Sequence, residues 1–228
     1  MDRYSEYKRT YYDDGSIESE YLVNDGKIEG SMVTYHSVTF AQIPNQIKFT
    51  RFFVNGLCNG KCVEYLERGL IYSEWYEVDG QKHGLQIIYN PYWSTKENYI
   101  IFHRLNYVNG VLDGKCESFY YNEKIGTVTY YSNGKRNGPT IEYGLDGHKF
   151  QETEFVNDSI ITDINYTDGV LTCFTEYSNS KPVKRTHFDE CGNGNIIEKG
   201  IYVYDDNPTF GTYVVTYRTP CNLDNETI

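Results

Sequence analysis

Alanine is nearly absent from this 228-residue chain, and no stretch shows the spacing of apolar residues that a helix requires. Alanine is the strongest helix former, so its scarcity argues against a helical protein. Tyrosine is abundant instead, with 24 residues, and aromatic and β-branched side chains favour strands. The composition therefore predicts an all-β fold.

Long apolar runs and excess positive charge are also missing. No stretch approaches the roughly 20 apolar residues of a membrane-spanning helix, and the opening MDRYSEYKRTYY has no apolar signal-peptide core. The net charge of −11 opposes attraction to nucleic acid and to anionic lipid surfaces. We therefore expect a cytoplasmic protein that binds no nucleic acid and for which a membrane is a disfavoured partner.

The usual signatures of metal sites and catalysis are absent as well. The six cysteines form no C-x-x-C pair, which favours reduced thiols, and Cys62 and Cys116 are interpreted as packing residues. The five histidines lack the spacing of metal ligands, and segment 189–194 lacks the ligand number of a calcium loop. No G-x-S-x-G or H-E-x-x-H motif occurs. We expect no enzyme, no cofactor, no catalytic residue and no metal site.

Two glycines four residues apart recur in five copies along the chain. The copy with Gly110, Gly114 and Lys115 looks like a phosphate-binding loop, but only three residues separate its glycines and Cys116 replaces the required hydroxyl. Asn-Gly and Asp-Gly instead provide the positive φ of tight hairpin turns, and the second glycine is expected at another left-handed or bulge position. The predicted turn glycines are Gly26, Gly30, Gly56, Gly60, Gly80, Gly84, Gly110, Gly114, Gly134 and Gly138.

An aromatic residue stands five positions after the second glycine of every copy. These residues predict an aromatic row on one face of a sheet. The first glycines are separated by 30, 24, 30 and 24 residues, which indicates a unit of about 24 residues with two six-residue insertions. The row consists of Tyr35, Tyr65, Tyr89, Phe119 and Tyr143.

Paired glycines with flanking aromatics in a repeat of about 24 residues resemble the MORN repeat. The stretches YYSNGKRNGPTIEY (130–143) and YEVDGQKHGLQIIY (76–89) are close to its variant form, found in bacterial antitoxin-like proteins and in proteins of large DNA viruses. The resemblance implies an elongated, antiparallel, single-layer sheet of successive β-hairpins. The pattern of turns in the sequence favours the same architecture.

The degree to which the repeat is preserved divides the chain into predicted regions. We predict a repeat array over 1–218, clearest over 11–158 and degenerate over 159–218, where it would form a C-terminal cap. Residues 219–228 are predicted to be a tail outside the sheet. Exposed terminal strands would allow an edge- or end-paired homo-oligomer.

The two insertions are the candidate partner-binding elements. They cover 36–50 and 90–106 and lie 54 residues apart, or two repeats, so we expect them on the same edge or side of the sheet. Insertions in repeat proteins often form the binding face, although longer strands with local packing are the alternative. The candidate binding residues are Phe40, Ile43, Tyr92 and Trp93.

Three functions are compatible with this pattern. The leading hypothesis is a non-enzymatic scaffold for protein–protein assembly, in a viral structural or host-interaction role, with virion association if the source is viral. The second is an antitoxin-like immunity protein that neutralises a basic partner enzyme, and the third is a phosphoinositide or membrane tether. The acidic charge argues against the third.

Overall fold

The computed structural model describes residues 5–38, 44–189, 195–204 and 211–218. Across these ranges the chain forms twenty β-strands and no helix, so the all-β prediction is confirmed. It follows that no described segment is a helix able to cross a membrane. Two units compose the chain, Met1–Lys124 and Ile125–Ile228.

The first unit is an antiparallel meander in which each strand pairs with the next. Three strands of two residues each precede a longer strand, and each short strand pairs with the same partner as the strand it precedes. The strands are β1 Ser5–Tyr11, β2 Ile17–Asn24, β3 Lys27–Tyr35, β4 Ile47–Val54, β5 Leu57–Cys58, β6 Gly60–Tyr65, β7 Ile71–Val78, β8 Gln81–Lys82, β9 Gly84–Tyr89, β10 Ile101–Val108, β11 Val111–Leu112 and β12 Gly114–Phe119.

The second unit repeats the meander with longer, unbroken strands. Each again pairs antiparallel with its successor, and the described part of 159–218 continues the hairpin pattern of the clearer repeats. The strands are β13 Ile125–Ser132, β14 Lys135–Tyr143, β15 Lys149–Val156, β16 Ser159–Thr167, β17 Val170–Ser178, β18 Lys181–Phe188, β19 Ile196–Tyr204 and β20 Gly211–Arg218.

The first glycine of each pair lies in a two-residue hairpin turn. Asn55 has φ 52° and Gly56 has φ 84°, and Asp79 and Gly80 have nearly the same values. Positive φ at both central residues defines the type I′ turn, which matches the twist of the flanking strands. Glycine adopts this conformation without steric cost because it has no Cβ.

Successive hairpins are joined by a hydrogen bond at these turns. The amide of Gly56 donates to the carbonyl of Ile28 at 2.9 Å, and Gly80 donates to Cys58 at 2.7 Å. The amide of Asp158 makes the equivalent bond to Arg136 at 2.9 Å. These turns are therefore held by the preceding hairpin, which favours a regular repeat.

In three of the five pairs the second glycine marks the point where the chain re-enters the sheet, whereas Gly30 and Gly138 lie inside the unbroken strands β3 and β14. Gly60, Gly84 and Gly114 have φ between 79° and 129°, and each begins a strand after a short break. The residue before it, such as Asn59, donates its amide to the facing strand, here to Phe52 at 2.7 Å. This is a bulge geometry, in which one extra residue is accommodated and the local twist increases.

The best-buried part of the first unit lies on one face of the sheet. Cys58, Cys62 and Trp75 form its centre, and Phe49 and Phe53 pack against them. The opposite face keeps large apolar side chains in contact with solvent. A single-layer sheet cannot cover both of its faces with its own side chains, so exposed apolar surface is inherent in this architecture.

Candidate partner-binding edge

Both insertions replace an ordinary return turn on the same edge of the first unit. In the ordinary turn between β6 and β7, the amide of Leu66 donates to the carbonyl of Leu70 at 2.8 Å. His36 donates to Gln46 at the base of the first insertion, and Asn90 donates to Ile100 at the base of the second, both at 2.8 Å. Equivalent closing bonds place the two insertions on either side of the 66–70 turn.

The insertions contact the turn between them. His36 of the first insertion lies with its Nε2 atom 2.9 Å from the carbonyl oxygen of Tyr65. From the turn, the Arg68 guanidinium donates to the carbonyl of Pro91 in the second insertion. The hydroxyl of Tyr99 accepts a hydrogen bond from the amide of Ile71 at 3.3 Å. The three segments therefore form one continuous surface.

The second insertion is a loop with its own hydrogen bonds and does not extend the strands. Strand β9 ends at Tyr89 and β10 begins at Ile101. The Asn90 side-chain oxygen accepts the amides of Tyr92 and Trp93 at 2.9 and 3.1 Å. Such Asn side-chain bonds reproduce a backbone turn and fix the loop conformation.

The loop presents two of the predicted binding residues to solvent. Tyr92 is 86% exposed, and Trp93 is 56% exposed while its ring stacks on Tyr121 with centroids 5.4 Å apart. The other two candidates, Phe40 and Ile43, fall outside the described residues. Exposed aromatic rings on a fixed loop lose little conformational entropy when they are buried by a partner.

A groove of about 510 Å³ lies beside Tyr92, between the two insertions. Burial raises the pKa of the Glu64 carboxyl in this groove, against the opposing effect of nearby cations such as Lys48. Sequence reasoning missed most of the lining, because the residues between the insertions belong to an ordinary turn and to the ends of β6 and β7, and become a site only where the insertions flank them. The lining residues are His36, Glu64, Tyr65, Leu66, Glu67, Arg68, Tyr72, Pro91 and Tyr92.

Members of the predicted aromatic row are half-buried and make polar contacts. The Tyr35 hydroxyl donates to Glu20 at 2.7 Å, and Tyr89 makes the equivalent bond to Glu74 at 2.7 Å. Because Glu20 and Glu74 occupy the same repeat position, the two tyrosines lie on the same face. The Arg104 guanidinium lies 4.9 Å from the Phe119 ring centroid. These contacts stabilise the ends of the strands.

A second exposed apolar surface lies on the open face of the first unit. Tyr76 faces Lys61 across the register, with Phe52 and Leu85 on the adjoining strands, and all three of these apolar side chains are exposed. Lys61 and Glu74 form an ion pair of 2.6 Å at its border. A groove of about 770 Å³ runs along this part of the sheet.

Sequence reasoning also missed a pair of thiols in the buried face. The sulfur atoms of Cys58 and Cys62 are 3.2 Å apart, and both residues are buried. Burial raises the pKa of both thiols, so neither is an activated nucleophile. Their C-x-x-x-C spacing does not point to proximity in a regular strand, and the bulge after Cys58 brings them together.

No protein-family model matches the chain, and no curated protein is significantly similar to it in sequence.

Proposed function

We propose that this protein is a non-enzymatic scaffold of MORN type whose first unit binds a protein partner along the insertion edge. The observation that carries the proposal is the exposure of Tyr92 and Trp93 on a loop that is fixed by Asn90. Tyrosine and tryptophan are enriched among the residues that dominate binding energy at interfaces. Exposed apolar surface of this kind marks interaction sites on proteins, which supports a bound partner here.

The adjacent groove supports the same proposal. It offers apolar surface from Leu66, Tyr72 and Pro91 next to the charged groups of Glu67 and Arg68. An apolar centre with polar groups around it is the usual anatomy of a protein interface. The partner would insert a side chain into the groove while Tyr92 and Trp93 cover it.

The test is affinity capture from the cells that produce the protein, after chemical crosslinking. The wild type is compared with a Tyr92→Ser/Trp93→Ser double variant and with Tyr76→Ser as the matched control. Tyr76 is 54% exposed, like Trp93, but lies on the open face of the sheet and not on the insertion edge. We expect one specific set of partners to be captured by the wild type and by Tyr76→Ser, and to be lost with the double variant.

Two results would contradict the proposal. Loss of the partners with Tyr76→Ser alone would place the interface on the open face. If the wild type captures no specific partner, the proposed scaffold function is wrong. Far-ultraviolet circular dichroism of all three proteins provides the control for correct folding.

An antitoxin-like immunity protein is the second candidate, and the net charge of −11 favours it. An acidic surface accelerates association with a basic enzyme and favours that partner over acidic ones. The identity of the captured partner separates the two functions. A basic enzyme that loses its activity on binding supports neutralisation, whereas a structural protein supports assembly.

A further inference from the structure

We propose that Cys58, Cys62 and Glu77 form a binding site for one thiophilic divalent cation, with Zn²⁺ as the best fit. The two sulfur atoms and a carboxylate oxygen of Glu77 all lie within 4.8 Å of one another. Zinc is commonly bound by cysteine sulfur and carboxylate oxygen in tetrahedral geometry. Three protein ligands would leave the fourth position for water.

The distances need only small side-chain movements to accept the ion. Tetrahedral ligands at the usual Zn–S and Zn–O distances of about 2.0–2.3 Å lie roughly 3.3–3.8 Å from one another. The sulfur–sulfur separation of 3.2 Å must therefore widen by about half an ångström, which a rotation about one Cα–Cβ bond provides. The three side chains come from neighbouring strands, β5, β6 and β7, whose register fixes their backbones.

A neighbouring tryptophan positions the carboxylate. The Trp75 indole Nε1 donates to Glu77 Oε1 at 2.8 Å, and the Trp75 side chain packs in the same buried cluster as both cysteines. Outer hydrogen bonds of this kind orient metal ligands and raise affinity. The Lys82 ammonium lies 5.1 Å from the Trp75 ring centroid and donates to Gln86 Oε1 at 2.8 Å, a partner outside the three proposed ligands.

The repeat itself does not require these three residues. The preceding repeat has Ile28, Met32 and Phe53 at the corresponding positions, and all three are apolar. A hairpin of this fold can thus be built with an apolar cluster at this place, and the following repeat has Lys82, Gln86 and Tyr107 there. Two thiols and a carboxylate gathered there are a local substitution whose chemistry suits a cation better than it suits a core.

The chain contains a matched control for the site. Cys116 occupies the repeat position of Cys62 and is also buried, but Leu112 stands where Cys58 would be. Cys116 therefore has the same backbone setting without the second thiol. Any effect that comes only from a buried thiol in this strand will appear at both positions.

The experiment titrates the fully reduced, metal-free, full-length protein with Co²⁺ and then displaces the bound Co²⁺ with Zn²⁺. We expect one Co²⁺ per chain, an intense thiolate-to-cobalt absorption band, and complete loss of that band on addition of Zn²⁺. Cys58→Ser and Cys62→Ser should abolish the band, and Cys116→Ser should leave it unchanged. Glu77→Gln and Trp75→Phe should each weaken Co²⁺ binding by about 10- to 100-fold.

Absence of a thiolate-to-cobalt band in the reduced wild type would overturn the proposal, whether or not the same thiols form a disulfide on oxidation. If Cys116→Ser abolishes the band as well, the assignment of the cation site to Cys58 and Cys62 is wrong. Thermal unfolding of every variant in the presence of a chelator identifies any that do not fold. If a cysteine variant does not fold, the site is tested by the cobalt band of the wild type and by Co²⁺ binding to Glu77→Gln. The Glu77→Gln variant is informative because it keeps both thiols.

Discussion

Single residues in this protein are constrained mainly by backbone conformation at the turns. Gly84 has φ 79°, and a Cβ at this position would meet nothing within 4 Å. Its role is therefore conformational and not steric. Gly84 follows His83 and has no Asn-Gly or Asp-Gly signal of its own. The sequence predicts it because a glycine recurs four residues after each turn glycine.

Replacement of Gly84 by alanine should destabilise the protein by about 1 kcal/mol, because a residue with a Cβ is strained at positive φ. Gly84→Asn should cost less, since asparagine adopts this conformation more readily. Urea denaturation of the three proteins measures the difference. Equal stability of Gly84→Ala and the wild type would show that the backbone at this position relaxes.

Ionisation of two glutamates is expected to affect the stability of the fold in opposite directions. Burial raises the pKa of Glu64 in the groove. Burial also acts on Glu74, but hydrogen bonds from Lys61 and Tyr89 outweigh it and lower the pKa of that carboxyl. A raised pKa in the folded state means that the ionised Glu64 opposes folding at neutral pH, whereas a lowered pKa means that the ionised Glu74 favours it.

Glu64→Gln should therefore increase the free energy of unfolding at pH 7, and Glu74→Gln should decrease it. Both differences should shrink as the pH falls: that of Glu64 first, because its pKa is raised, and that of Glu74 only below the ordinary carboxyl value of about 4, because its pKa is lowered. Denaturation at pH 7 and at about pH 3 tests this. A change of the same sign for both variants at pH 7 would contradict the assignment.

At the scale of elements, the hairpins and the insertions differ in how far the sequence predicts them. The repeat spacing predicts the hairpins and places both insertions on one edge, because equivalent positions in a repeat occupy equivalent places in the sheet. It does not predict the groove at that edge, which depends on long-range contacts such as His36 to Tyr65 and Arg68 to Pro91. It also misses the Cys58–Cys62 pair, which depends on bulge geometry.

The conformation of the second insertion should depend on one side chain. Asn90→Ala removes the acceptor for the amides of Tyr92 and Trp93, so these amides should exchange with solvent faster. The loss of two modest hydrogen bonds is expected to cost about 1–2 kcal/mol of local stability. Asn90→Asp keeps an acceptor and serves as the control. Unchanged amide exchange over 91–94 in Asn90→Ala would mean that other contacts fix the loop.

At the scale of the whole molecule, the dominant property is an acidic charge of −11 spread over a chain of exposed hairpins. Ion pairs at the surface, such as Arg136 with Asp158 at 3.2 Å, are solvated and contribute little to stability. The net charge acts on partners at longer range, by attracting positive surfaces and repelling nucleic acid and anionic lipid.

The association rate with a basic partner should therefore fall as salt is added. Raising the ionic strength from about 0.01 M to about 0.15 M shortens the Debye length from roughly 30 to 8 Å, so steering over longer distances is lost. We expect the association rate constant to fall by about tenfold or more, while the dissociation rate constant changes little. Stopped-flow or surface-based kinetics measures both rate constants. A salt-independent association rate would indicate that the partner is not basic.

Calorimetric titration of the captured partner tests whether the insertion edge is the partner-binding surface. Loss of both aromatic anchors in Tyr92→Ser/Trp93→Ser should weaken binding by at least about 30-fold, which corresponds to roughly 2 kcal/mol. Tyr76→Ser should bind like the wild type. Wild-type affinity in the double variant would contradict the claim and would direct attention to the open face of the sheet.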